Sequence, residues 1–134
     1  MSKEIPKAEI VESVVMAGFP SVADSYCSSP LDLNELLVKR PAATFFVRAM
    51  GDSMIDAGIS SGDILVVDRS LEPNDGNIVI ASVQNEFTVK YLRKNLKGIS
   101  LVPANKKYKE ITFKGEMQLQ IFGVVTAVIH QFVK

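Results

Sequence analysis

The chain has 134 residues, of which 47% are hydrophobic, and 15 basic and 15 acidic residues leave no net charge. This length predicts one domain with a real core, and the lack of an apolar run of about 18 residues predicts no membrane span. The chain has one cysteine, Cys27, which excludes an internal disulfide and favours a cytoplasmic setting. Since the chain also has only one histidine, we expect neither a metal nor a cofactor.

The first 30 residues are predicted to form a flexible arm. Apolar residues between positions 10 and 16 are suited to a short strand or a docking segment. The Gly18-Phe19-Pro20 sequence would break any helix, and the small polar residues from Ser21 to Pro30 are typical of a linker. No signal-type apolar segment is expected in this arm.

The remaining residues, 31–134, are predicted to form a mostly β domain with one short helix. The helix is expected over Leu31–Val38, with Asp32 and Asn34 as candidate caps and an end before Pro41. Seven strands are predicted at Thr44–Met50, Ile64–Asp68, Asn77–Val83, Glu86–Arg93, Ile99–Val102, Ile111–Phe113 and Leu119–Val128. Gln84-Asn85 is a two-residue hairpin signal, and Gly123 is a candidate bend or bulge.

The short sequence Gly51-Asp52-Ser53-Met54 follows the first of these strands. A serine just past a strand end can present its hydroxyl to a cleft, and backbone N–H groups of such a turn can stabilise an oxyanion. An ordinary turn explains the same residues, since glycine, aspartate and serine are common in turns. A catalytic function for Ser53 therefore requires a base elsewhere in the chain.

Lys90, on the strand Glu86–Arg93, is the candidate base. A neutral lysine can take the proton of an attacking serine. An ordinary lysine is neutral in only about one molecule in 2,500 at pH 7, so Lys90 would have to be buried to serve. The alternative is a solvated strand lysine, because Lys90 shares its face with Thr88 on the less apolar side.

Several blocks of the sequence, in order and from about Val14 to Val128, resemble the UmuD family, the self-cleaving subunits of error-prone translesion polymerases. That family is related to the peptidase domains of LexA and phage repressors. The blocks are Ala17-Gly18-Phe19-Pro20-Ser21, Leu31-Asp32-Leu33-Asn34-Glu35-Leu36-Leu37, Gly51-Asp52-Ser53-Met54-Ile55-Asp56, Gly58-Ile59, Gly62-Asp63-Ile64-Leu65-Val66-Val67-Asp68 and Glu86-Phe87-Thr88-Val89-Lys90.

The resemblance implies a LexA-like peptidase fold, a Ser53/Lys90 dyad and cleavage of the Ala17–Gly18 bond. It implies that the backbone N–H groups of Asp52 and Ser53 form the oxyanion site. Many relatives have cysteine where Ala17 stands, although LexA-like relatives have alanine. The resemblance further implies a role in the SOS response, with a RecA filament on single-stranded DNA as co-protease, a homodimeric product, and a Y-family polymerase subunit as its partner.

Other functions remain open from the residues alone. Residues 90–114 contain eight basic residues and one acidic residue, but so few aromatic ones that an acidic protein partner or a solvated sheet face is favoured over nucleic acid. A helix-turn-helix has no room before the β region, which disfavours a LexA-like transcriptional regulator and sequence-specific DNA binding. The remaining alternatives are a non-enzymatic dimeric binding module and a hydrolase that pairs Ser53 with His130.

Overall fold

The computed structural model describes residues 8–11, 28–113 and 119–134. The chain divides into two units, residues 1–39 and 40–134. In the described part of the chain, no helix is both long enough and apolar enough to cross a membrane.

The described residues of the first unit, 8–11 and 28–39, form a two-stranded antiparallel sheet and one helix. Strand β1, Ala8–Val11, pairs with β2, Ser28–Leu31, and helix α1 follows over Leu33–Leu37. Asp32 caps this helix by accepting a hydrogen bond from the N–H of Asn34, as the sequence predicted. The predicted linker up to Pro30 is wrong at its end, because residues 28–30 are hydrogen-bonded to β1.

The second unit is a seven-stranded antiparallel sheet, which confirms the predicted mostly β fold. A 3₁₀ turn, Pro41–Ala43, precedes it. The strands are β3 Thr44–Arg48, β4 Ile64–Asp68, β5 Ile78–Val83, β6 Glu86–Asn95, β7 Gly98–Val102, β8 Ile111–Thr112 and β9 Leu119–Ile129. Their order across the sheet is β3-β4-β9-β5-β6-β7-β8. All seven strands match strands predicted from the sequence.

The hairpin between β5 and β6 turns at the two residues expected. Gln84 and Asn85 have φ angles of 50° and 70°, as a two-residue turn that fits the right-handed twist of its strands requires. The turn sets the register in which Val79 faces Lys90. A local sequence signal therefore fixes the position of Lys90 along the sheet.

The long strand β9 lies between β4 and β5 and carries an irregularity in its pairing with each. The shift against β5 falls next to Gly123, as predicted. A Cβ atom at Gly123 would lie 2.6 Å from Cγ1 of Val67 and 3.2 Å from the carbonyl oxygen of Asp68. Glycine is needed here because the Val67 side chain, and to a lesser extent the backbone of β4 at Asp68, lie too close for a further side chain.

Buried apolar residues form two clusters in the second unit. One contains Met54 and Ile59 from the segment after β3, together with Leu65, Val67 and Ile80 from the strands. The other contains Val79, Ala81, Leu92, Leu101 and Val124. Burial of Met54, which is 2% exposed, fixes the chain directly after Ser53 to the core.

Candidate active site

Ser53 lies in a short connection between β3 and a 3₁₀ turn, Ile55–Ala57. Gly51 has a φ of 90°, a conformation that favours glycine, and its N–H donates a 3.0 Å hydrogen bond to Ser61 Oγ. Two further hydrogen bonds, from Ala49 N–H to Asp63 O and from Gly62 N–H to Ala49 O, close the base of the connection. The residues 51–54, here called the Ser53 loop, are therefore attached at both ends to ordered structure.

Lys90 on β6 reaches Ser53 across 37 positions of sequence. Its Nζ lies 3.0 Å from Ser53 Oγ, 2.6 Å from Thr88 Oγ1 and 3.1 Å from the carbonyl oxygen of Val89. The structure thus brings together the two side chains that the sequence had proposed as nucleophile and base.

The Lys90 side chain is buried, and only 8% of the residue is exposed. The alternative of a solvated strand lysine is wrong because the face it shares with Leu92, which is 1% exposed, is covered. Burial disfavours the charged ammonium and lowers the pKa of Lys90 below its ordinary value of 10.5. The lysine is therefore closer to the neutral form that a base requires.

The three neighbours of Lys90 Nζ also suit a neutral amine. A neutral amine has two N–H donors and one lone pair. The carbonyl of Val89 can only accept a hydrogen bond, and the hydroxyl of Thr88 can accept the second. In that neutral form the lone pair is left for the O–H of Ser53, which is the arrangement that a base and its nucleophile need, whereas the charged ammonium donates to all three oxygens.

A cleft of about 280 Å³ lies beside Ser53. It is lined mainly by apolar side chains, among them Val47, Met50, Leu65, Ile80 and Phe87. Met50 and Phe87 are 77% and 68% exposed, so apolar groups are available at the surface here. Such a surface is suited to bind apolar groups of a ligand next to the serine.

The predicted oxyanion donors are the backbone N–H groups of Asp52 and Ser53. Within residues 28–113 and 119–134, neither N–H meets an internal hydrogen-bond acceptor, and the same holds for Met54 N–H, whereas the N–H groups of Gly51 and Ile55 do. Both groups are thus available to a ligand, and their role in catalysis stays a prediction.

The sequence reasoning missed two residues that contact Asp52. Tyr108 OH donates a 2.5 Å hydrogen bond to Asp52 Oδ1, and Asn105 Nδ2 donates a 2.8 Å hydrogen bond to the Asp52 carbonyl oxygen. The hydrogen bond to Asp52, together with the negative charge of that carboxylate, raises the pKa of Tyr108. Both residues follow Asp52 by more than 50 positions, and no local motif links them to it.

His130 is engaged away from Ser53. Its Nδ1 lies 2.5 Å from Oδ1 of Asp63, and the other carboxylate oxygen accepts a 2.8 Å hydrogen bond from Ser60 N–H. Burial raises the pKa of Asp63, but the hydrogen bonds from Ser60 and His130 and the positive charges of His130 and Lys134 outweigh it and lower the pKa. In the described structure His130 makes no hydrogen bond to Ser53, so the Ser/His alternative lacks support.

The predicted cleavage site, Ala17 and Gly18, lies outside the described residues, as do Phe19, Pro20, Ser21 and Cys27. Across residues 8–11, 28–113 and 119–134, no three His, Cys, Asp or Glu side chains come together in a way that could hold a metal ion.

Comparison with known protein families identifies the family of the chain. The family described as Peptidase S24-like matches residues 9–126. The chain belongs to this peptidase family. It is 52% identical to the SamA protein of Salmonella typhimurium over 115 residues, which span 86% of this chain and 79% of SamA.

Two further relatives are similar to this chain over nearly the same length. The chain is 50% identical to the ImpA protein of Escherichia coli over 115 residues, or 86% of this chain and 78% of ImpA. It is 44% identical to the MucA protein of Salmonella typhimurium over 113 residues, or 84% of this chain and 77% of MucA. The chain is therefore a UmuD-like protein, as the sequence blocks indicated.

Proposed function

We propose that this S24 peptidase cleaves its own Ala17–Gly18 bond, with Ser53 as nucleophile and Lys90 as general base. The observation that carries the proposal is the 3.0 Å separation between Ser53 Oγ and a buried lysine amine beside an apolar cleft. Burial of Lys90 supports it further, because it lowers the pKa and so increases the fraction of molecules able to accept a proton at neutral pH.

In the first step, Ser53 Oγ attacks the carbonyl carbon of Ala17 while Lys90 Nζ takes the hydroxyl proton. The negative charge that develops on the Ala17 oxygen is stabilised by the N–H groups of Asp52 and Ser53. The intermediate collapses, the Ala17–Gly18 C–N bond breaks, and Lys90 returns its proton to the departing amine of Gly18.

In the second step, water attacks the ester between Ser53 and Ala17. Lys90 takes a proton from this water and returns it to Ser53 Oγ as the C–O bond breaks. The products are residues 1–17 with a free carboxylate and residues 18–134 with a new amino terminus. Because the substrate is part of the chain, its effective concentration at Ser53 is high, and the rate is limited by docking and by the charge of Lys90.

The residues on either side of the proposed bond fit this reaction. Ala17 has one methyl group and Gly18 has no side chain, so both the attack and the departure are unobstructed. Pro20 disfavours a helical conformation at Phe19 and so favours the extended peptide that a cleft accepts. The apolar residues Val14 to Met16 are suited to the apolar cleft.

The proposed cellular role follows from the UmuD-like sequence. Cleavage would occur in the cytoplasm during the SOS response, stimulated by a RecA filament on single-stranded DNA that favours the docked arm. The product would act as a homodimeric accessory subunit of a UmuC-like Y-family polymerase in translesion synthesis. Sedimentation of residues 18–134 at micromolar concentration should give a dimer, and a monomer alone would refute that part.

The dyad is tested with three variants of the purified chain at pH 9. Ser53→Ala and Lys90→Met should each abolish the appearance of the shorter product on a gel, while both stay folded by circular dichroism. His130→Ala is the control, because it removes the side chain of the alternative Ser/His pairing, and it should cleave at nearly the normal rate. Loss of cleavage in folded His130→Ala would contradict the Ser/Lys assignment.

A further inference from the structure

A second loop holds the Ser53 loop in place from the side. It comprises residues 104–108, between β7 and β8, and is here called the 104–108 loop. A backbone hydrogen bond of 2.8 Å from Ala104 N–H to Ser53 O connects the loops, and a second of 2.8 Å runs to Ala104 O from Asp56 N–H in the 3₁₀ turn that follows the Ser53 loop. The side chains of Asn105 and Tyr108 add two more, both to Asp52.

The hydrogen bond from Asn105 acts on the peptide group between Asp52 and Ser53, whose carbonyl oxygen also accepts a longer, 3.2 Å hydrogen bond from Ile55 N–H. The carbonyl oxygen of Asp52 and the N–H of Ser53 belong to the same rigid, planar peptide unit, and in a trans peptide they point in opposite directions. A hydrogen bond that fixes the direction of the Asp52 carbonyl oxygen therefore also fixes the direction of the Ser53 N–H, which points the opposite way. Donation to the oxygen also polarises the peptide, which strengthens its N–H as a donor.

Asn105 is itself held in one orientation. Its Oδ1 accepts a 3.0 Å hydrogen bond from Lys107 N–H, while its Nδ2 donates to Asp52 O at 2.8 Å. Exchanging the oxygen and nitrogen of this amide would place donor against donor and acceptor against acceptor. Both ends of the amide are thus fixed, so Asn105 connects the turn at Lys107 rigidly to the Asp52–Ser53 peptide.

We propose that Asn105 is a positioning residue for self-cleavage, whose amide aims the Ser53 N–H at the oxyanion formed from the Ala17 carbonyl. The inference rests on the proposed function and adds a residue to its machinery. Tyr108 assists by holding the Asp52 side chain, which restrains the first of the two N–H groups. Asn105 touches neither the substrate nor the reacting atoms, and it acts entirely through the peptide that it orients.

The test is the pH profile of self-cleavage in Asn105→Ser. A serine hydroxyl can still accept from the N–H two residues on, as in an ordinary turn, but it is too short to reach Asp52 O. The limiting rate at high pH should fall by about 10- to 100-fold. This loss does not exceed the loss expected for deleting an oxyanion donor, because the Ser53 N–H is still present and only its orientation is less restrained. The midpoint of the profile should stay where it is, because the surroundings of Lys90 are unchanged.

Asn95→Ser is a matched control. Asn95 Oδ1 accepts from Lys97 N–H at 2.9 Å in the β6–β7 turn, so the same exchange perturbs the same kind of turn without touching the Ser53 loop. It should cleave at the normal rate. If Asn105→Ser melts early, Asn105→Asp replaces it, since the aspartate keeps the size and the acceptor for Lys107 N–H and should lose at least as much rate.

The outcomes separate this inference from the function on which it rests. Normal cleavage in Asn105→Ser, or an equal loss in Asn95→Ser, would overturn the positioning role while Ser53→Ala remained inactive. A shift of the profile midpoint with no loss of limiting rate would overturn it too. Cleavage by Ser53→Ala, or none by the unmodified chain, would instead overturn the proposed function and the inference with it.

Discussion

Replacing Thr88 should change the pH dependence of self-cleavage in a predictable direction. The hydroxyl of Thr88 lies 2.6 Å from Lys90 Nζ, the shortest of the three contacts of that amine. An ammonium needs this acceptor more than a neutral amine does, so Thr88→Val, which keeps the shape but removes the oxygen, should lower the pKa of Lys90 further.

The size of the shift can be worked from the contact. A hydrogen bond to a charged group contributes about 1.5–3 kcal/mol, and the neutral amine loses part of the same bond. A difference of about 1.4 kcal/mol between the two forms corresponds to about one pH unit. The midpoint of the rate profile in Thr88→Val should therefore move down by about one unit from that of the unmodified chain.

The assay is the first-order rate of product formation between pH 6 and 11, followed on gels. For the unmodified chain the rate should rise by up to about tenfold per pH unit and level off below pH 10.5, because burial lowers the pKa of Lys90. Thr88→Ser is the control, since it restores the hydroxyl and should restore the midpoint. A midpoint that stays fixed or rises in folded Thr88→Val would refute the view of Lys90 as the titrating base.

Three further predictions concern stability and can be measured by chemical denaturation. Burial of charged Lys90 destabilises the folded chain at pH 7, because its lowered pKa makes the folded chain bind this proton less tightly than the unfolded chain does. Lys90→Met should therefore be more stable than the unmodified chain at pH 7, and the difference should shrink as pH approaches 10.5. A difference that does not change with pH would contradict this destabilisation by the buried charge. The lowered pKa of Asp63 stabilises the folded chain fully above pH 3.8, and this stabilisation is lost as pH falls through the folded pKa of Asp63. Because His130 contributes to the lowered pKa, His130→Ala should be less stable than the unmodified chain at pH 7 and equally stable at a pH below the folded pKa of Asp63. Gly123→Ala should cost about 1–3 kcal/mol, because its Cβ would meet Val67 Cγ1 at 2.6 Å, and a neutral effect would mean that the β4–β9 contact is looser than described.

Local signals in the sequence account for most of the sheet. Alternating apolar residues and the Gln84-Asn85 turn predicted the β5–β6 hairpin, because register in a hairpin depends on the turn itself. Strand β2 was missed because Ser28, Ser29 and Pro30 have no apolar alternation. Its pairing with β1 joins segments separated by more than a dozen residues, which no local pattern predicts.

The candidate site was predictable only in part. Ser53 stood out because it follows a strand and a glycine, and Lys90 was a candidate base that the resemblance to the UmuD family favoured over a solvated strand lysine. Burial of Lys90 was not predictable, since it depends on what covers that face of β6. The contacts of Asn105 and Tyr108 with Asp52 were not predictable either. An Asn in a polar stretch indicates a turn, but it does not indicate which distant residue its side chain will contact.

The most direct test of the central claim is the mass of the products that form when the purified chain is incubated at pH 10. We expect two fragments that correspond to residues 1–17 and 18–134, with Gly18 as the new amino terminus by sequencing. The same incubation of Ser53→Ala should leave only the intact mass. If Ser53→Ala releases the same two fragments, a contaminating protease makes the cut and the contact between Ser53 and Lys90 has no catalytic role.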